Sequence, residues 1–111
     1  MAVNEIVLPC ELTEAVQVRH IPGFYTTSNN GNKITAAVTY KGENRNISGS
    51  VKGYVVKSDG TTTAVNGTRS GNKASITIPN SALLPGRILI TVVLVDGIQT
   101  TTLAAVQSNV I

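Results

Sequence analysis

Cysteine is nearly missing from this chain: Cys10 stands alone among 111 residues, so no internal disulfide can form. Nothing near it argues for a low-pKa surrounding, and it is read as a small apolar residue rather than a reactive thiol. Histidine is as scarce. His20 is the only one, which excludes the usual His/Cys metal cluster, and it is read as a solvated or packed side chain. Tryptophan is absent, and the aromatics are Phe24, Tyr25, Tyr40 and Tyr54. Charge is thin: nine Lys and Arg against six Asp and Glu give a formal +3. The basic residues fall singly from Arg19 to Arg87, without the clustering and interleaved aromatics of a nucleic-acid footprint, so no nucleic-acid partner is expected. No apolar run approaches the ~18 residues that cross a bilayer, so no membrane is expected either. The N-terminus lacks a basic stretch followed by an apolar core. No secretion signal is read there, and the product is expected to stay in a cytoplasm or leave it by lysis.

What is present is a strand pattern. A chain of this length suits one domain and can bury roughly two-thirds of its unfolded surface, enough to fold without staples. It divides near residue 32. Residues 1–31 read as an irregular N-terminal arm and 32–111 as a β-sandwich domain. In the arm, Ile6-Val7-Leu8 is an apolar run stopped by Pro9, and Ala15, Val16 and Val18 form another stopped by Pro22. One or two short strands are expected, packed on the body or on a partner, followed by a polar cluster from Thr26 to Gly31.

From Lys33 onward the period is two. Ile34, Ala36, Val38 and Tyr40 alternate with polar neighbours, as a half-buried strand does. After a polar turn over 41–46, Val51–Lys57 reads as the next strand. Asp59-Gly60 is a hairpin cue, because positive φ is needed at the turn. Thr62–Val65 returns, 66–72 reads as a turn, and Ala74, Ile76 and Ile78 alternate until Pro79. One helical turn is expected over Asn80–Leu84, capped by Asn80 or Ser81 and closed by Pro85-Gly86. Arg87–Val95 is almost wholly apolar, which predicts a central strand covered on both faces, or on one face and by a partner. Asp96-Gly97 predicts a second hairpin, and Ile98–Gln107 the closing strand. Turns every 8–12 residues predict six or seven short strands in a sandwich. Ending at Ile111, directly after an apolar strand, suggests a module of a longer chain.

A search for chemistry finds none. Asp59 and Asp96 are accounted for by hairpins, and Glu5, Glu11, Glu14 and Glu43 show no spacing that calls for shared acid–base work. Cys10 and His20 with Glu11 or Glu14 could be drawn as a Cys–His arrangement, but they lie in the irregular arm where nothing positions them. The glycines sit at turns and form no phosphate cradle. Asn46-Ile47-Ser48 and Asn66-Gly67-Thr68 match the glycosylation acceptor without a secretion signal, and turn asparagines account for both. Thr61–Thr63 and Thr100–Thr102 read as strand formers on a solvent face. The expectation is a protein without enzymatic activity, catalytic residue, metal or cofactor, acting through free strand edges that a partner can pair with.

One resemblance sharpens this. Gly53-Tyr54-Val55-Val56-Lys57-Ser58-Asp59-Gly60, then Gly71-Asn72 leading into Ala74–Pro79, then Leu84-Pro85-Gly86-Arg87, then Thr100–Ala105, follow one another in a fixed order. That order, over Val51–Val106 and about half the chain, resembles the N-terminal domain family of phage baseplate upper proteins. The first 30 residues fall outside it. The resemblance implies an all-β, immunoglobulin-like sandwich of about seven short strands with an extended N-terminal arm, in a non-catalytic virion structural protein. The implied function is that of an adaptor fixing a fibre or receptor-binding component to the baseplate or tail. The alternatives are a capsid decoration or head-fibre protein on the head lattice and a host-glycan-binding module, for which only Tyr25, Tyr40 and Tyr54 could stack on sugar rings. Implied partners are other virion proteins of baseplate, tail or capsid, and further copies of the chain. The implied location is the virion, after synthesis in a bacterial host cytoplasm. Candidate partner-binding residues are Ile6, Val7, Leu8, Val16, Val18, Phe24 and Tyr25.

Overall fold

A computed structural model describes residues 5–25, 33–79 and 84–110; at residues 5, 21–25 and 110 only the course of the backbone is described. The helical turn expected over Asn80–Leu84 lies largely outside the described residues, and no helix occurs among those described. The chain is all-β, and its strands form two mixed sheets packed as a sandwich.

The first sheet holds β1 (Glu5–Glu11), β3 (Lys33–Tyr40), β4 (Glu43–Asn44), β7 (Thr68–Ser70) and β8 (Lys73–Thr77). Its order is β1-β3-β8-β7, with β4 added to β3 as a hairpin. The second sheet runs β2-β10-β9-β5-β6, with β2 over Val18–Tyr25, β5 over Ser50–Val56, β6 over Thr62–Asn66, β9 over Gly86–Asp96 and β10 over Gln99–Val110. Without β1, β2 and β4, the orders β3-β8-β7 and β10-β9-β5-β6 are those of an immunoglobulin sandwich. The strands beyond the seven expected are these three. Two of them, β1 and β2, make the sheets mixed by pairing in parallel with β3 and β10.

The alternation read from the sequence is what fills the core. Ile34, Ala36 and Val38 of β3 face Val51 and Val55 of β5, Ala74 and Ile76 of β8, Ile88, Ile90 and Val92 of β9, and Leu103, Ala104 and Val106 of β10 in one buried cluster. Burying these branched aliphatics is the main source of stability, at about 1.5–3 kcal/mol each. A bulge between Thr102 and Ala104 turns Leu103 inward next to Ala104, so β10 changes phase without losing its core contacts. Gly53 marks a close approach of the sheets, since a Cβ there would meet Ile76 Cδ1 of the facing sheet and lie 2.9 Å from Val65 Cγ2 of the neighbouring strand.

The prolines read as stops do not stop strands. Pro9 lies inside β1 and Pro22 inside β2. Both strands are sheet edges, where a residue with no N–H to donate is tolerated. The 66–72 turn also holds the three-residue β7, which begins just past Gly67, whose N–H donates to Val51 O at 2.8 Å. Arg69 on β7 donates from Nη1 to Ile47 O at 2.7 Å and from Nε to Gly49 O at 3.1 Å, so this cation fastens a loop.

Candidate docking site

The N-terminal strands and the loop between them build the candidate site. In β1, Ile6, Leu8 and Cys10 lie opposite Ile34, Ala36 and Val38 of β3 and share their inward face. Leu8 and Cys10 are buried in the core and Ile6 packs half-buried against it. Val7 points the other way and is 52% exposed. Of the candidate residues, Leu8 is therefore spent on the fold, and β1 offers Val7 to the outside.

Beyond β1 the chain is held by Glu11. Its carboxylate accepts the Gly42 N–H at 2.7 Å, the Lys41 N–H at 3.0 Å, the Thr13 N–H at 3.0 Å, the Thr13 hydroxyl at 2.8 Å and the Thr39 hydroxyl at 3.2 Å. Lys41 and Gly42 form the two-residue turn of the β3–β4 hairpin with φ of 53° and 83°, a turn conformation whose adjacent N–H groups make an anion nest. These donors, the Gly42 N–H foremost and then the Thr13 N–H and hydroxyl, hold the Glu11 carboxyl down at about 2. Leu12 N–H donates to Thr39 O at 2.9 Å and Glu14 N–H to Glu11 O at 3.0 Å. The start of the 12–17 loop is thus a fixed knob rather than a loose connection.

The knob carries Leu12 and Val16, both exposed, and leads into Val18, 50% exposed at the start of β2. Between loop and body lies a cleft of about 500 Å³, bordered by Cys10, Glu11, Val16, Val18 and Leu103. Leu12, Val16 and Val18 gather as exposed aliphatics on and beside the knob, while Val7 is exposed on the outward face of the first sheet. Of the candidate residues, Val16 and Val18 come together here. The side chains of Phe24 and Tyr25 lie outside the described residues. The sequence pattern missed Leu12 and Glu11. The available signal was Tyr40-Lys41-Gly42-Glu43, a two-residue hairpin that leaves two N–H groups needing an acceptor.

The Cys–His arrangement does not assemble. Cys10 points into the core from one sheet, while His20 is exposed on β2 of the other. Burial pushes the Cys10 thiol above its ordinary pKa, and the neighbouring Glu11 charge adds to this, so the thiolate is disfavoured. Among the described residues no three His, Cys, Asp or Glu side chains gather as a metal site. The Tyr40 ring is engaged as well: the Arg45 guanidinium stands 4.6 Å and the Lys41 ammonium 5.4 Å from its centroid.

No protein-family model matches this chain, and no curated protein matches it in sequence. Among solved structures it is similar to the N-terminal domain of phage TP901-1 ORF48, with a TM-score of 0.53 over 97% of this chain and 98% of that one, at 12% identity. The likeness extends over the whole sandwich, β1 and β2 included, and at this identity it is one of fold.

Proposed function

We propose that this chain is a non-catalytic structural module of a phage virion, an adaptor that docks to other virion proteins through its N-terminal side. The observation that carries the reading is the fold likeness, which spans nearly all of this chain and nearly all of a phage N-terminal domain. The order of motifs over Val51–Val106 supports it independently of that superposition. The proposed docking face is the knob with Leu12, Val16 and Val18, together with Val7 on the preceding strand β1, which Ile6 and Leu8 anchor to the core. Phe24 and Tyr25 belong to β2, which Val18 begins, and are proposed as part of the contact. Glu11 supports this use, because a knob already fixed on the Lys41-Gly42 nest loses little conformational entropy when a partner covers it. The glycan-binding reading has less behind it, since the Tyr40 ring is already occupied by Arg45 and Lys41.

The test is incorporation. Particles are assembled in a host that supplies either the wild-type chain or the Val7→Asp/Val16→Asp variant, and the chain is quantified in purified virions. Both side chains are exposed, so the variant is expected to unfold within ~0.5 kcal/mol of wild type. Its incorporation is expected to fall at least tenfold, as burying charges at the contact costs upwards of ~1.4 kcal/mol. Equal incorporation of the two chains would refute the docking face. Absence of the wild-type chain from virions would refute the virion reading itself.

A further inference from the structure

The outward face of the second sheet holds a groove that the docking face reaches only at Val18. The strand register sets Val56, Leu89, Gln107 and His20 side by side in one row across β5, β9, β10 and β2. Val18, Val56 and Leu89 supply an apolar lining to a groove of about 480 Å³ there, and Lys57, Arg87 and His20 stand around it. No carboxylate lines it. The nearby Asp59 is taken up by Thr61, whose N–H lies at 2.9 Å and hydroxyl at 2.6 Å. Further along the same face Val93 is only 6% exposed, yet it lies outside the core cluster, which shows how apolar this side of β9 is. An apolar, cationic groove calls for an apolar, anionic occupant.

The chain carries such a segment. The knob after β1 presents Leu12 and Val16, with Glu14 between them. Glu14 is exposed, and its carboxylate has no partner among the described residues. Its backbone is fixed by the N–H bond to Glu11 O at 3.0 Å, and the Glu11 clasp fixes the residues before it. The other described carboxylates are differently placed: Glu11 is clasped, Asp59 is bound to Thr61, Asp96 accepts the Ser48 hydroxyl at 2.9 Å, and Glu43 sits on the β4 strand without flanking aliphatics.

We propose that the 12–17 knob of one copy seats in the sheet groove of a second copy, with Leu12 and Val16 against the apolar lining and Glu14 facing Lys57 and Arg87. Knob and groove are different patches, so two copies either exchange knobs reciprocally in a two-fold dimer or, where the contact repeats in one direction, close a ring or extend a filament. One knob buries far less than the ~800 Å² per partner of a standard interface, so the association is weak for free chains and grows where copies are held close together. It rests on the proposed docking role and names a second copy of the chain as the virion protein that covers Leu12 and Val16, but it is tested on the purified chain alone. Failure here therefore leaves incorporation into particles as a separate question.

The experiment is sedimentation velocity on the purified chain at low ionic strength, up to about 0.5 mM, where a contact this small is expected to populate. Three samples are compared with wild type: Glu14→Arg, Lys57→Glu/Arg87→Glu, and an equimolar mixture of the two. Thermal midpoints matched to wild type establish that each variant is folded. Wild type is expected to associate with rising concentration, and each variant alone to associate at least about tenfold more weakly. The mixture is expected to recover association, because each variant restores the charge match of the other. Addition of about 0.5 M salt weakens the wild-type association by screening. A wild-type chain that stays monomeric, a variant that associates as wild type does, or a mixture no tighter than its components each overturns the proposal.

Discussion

Replacing Gly53 with alanine tests the packing of the two sheets at a point of close approach. The φ of Gly53 is one that any L-residue adopts, so removing unfolded-state freedom would by itself stabilise the protein by about 0.4–1 kcal/mol. The added Cβ has no room, however. It meets Ile76 Cδ1 and lies 3.0 Å from Ile76 Cγ2 and 2.9 Å from Val65 Cγ2. Overpacking of this kind costs about 1–3 kcal/mol, which exceeds the entropic gain. Gly53→Ala is therefore expected to destabilise by about 1–2 kcal/mol, a fall in thermal midpoint of roughly 4–8 °C for a domain of this size. Ile76→Val removes Cδ1 and alone costs about 0.5–1.5 kcal/mol. In the double variant the new methyl occupies the space that Cδ1 leaves. The two effects then sum to less than their parts by at least about 0.5 kcal/mol, as contacting residues do. Urea unfolding of all four proteins measures this cycle. A stabilised Gly53→Ala, or additivity within about 0.3 kcal/mol, would refute the sheet spacing on which the core rests.

Two further outcomes follow from the N-terminal side. The Glu11 carboxyl is held at about 2, below its ordinary 4.5, so the stability it contributes is complete above pH 4.5 and is lost as pH falls through about 2. Glu11→Gln is expected to lower the urea midpoint near neutrality and to converge on wild type in strong acid; a gap that does not change with pH would contradict the clasp. The Cys10 thiol is buried and raised in pKa, so a thiol reagent at mildly alkaline pH is expected to react only as fast as the protein opens, whereas rapid labelling of the native chain would place Cys10 outside the core.

Much of the sandwich was legible because burial on one face imposes a period of two. β3, β5, β8 and β9 begin and end within a residue or two of where the alternation put them. β10 runs on to Val110, past the expected end at Gln107, because β2 pairs along its last part. β7 was hidden because Thr68-Arg69-Ser70 is exposed throughout and leaves no apolar trace. Pro9 and Pro22 misled because a local sequence does not reveal whether a strand lies at the edge of its sheet. In the same way, the pairing of β1 with β3 and of β2 with β10 comes from contacts across long stretches of chain.

The candidate site was half legible. Val7, Val16 and Val18 stood out as apolar residues in an otherwise irregular segment, and they are exposed. The role of Glu11 was not readable, because its acceptors' partners Lys41 and Gly42 lie about thirty residues downstream and become a nest only when β1 lies beside β3. The apolar run of β9 was read as covered on both faces, or on one face and by a partner. One face is covered by the first sheet, and on the other Leu89 lines the groove.

The measurement that reaches the central claim most directly is a cryo-EM map of the virion that carries this chain. The account predicts density for the sandwich at the tail or baseplate, with Val7, Leu12, Val16 and Val18 against neighbouring virion proteins. Density for the sandwich on the head lattice would contradict the adaptor role and make the chain a capsid accessory protein. A virion map with no such density would contradict the virion reading altogether.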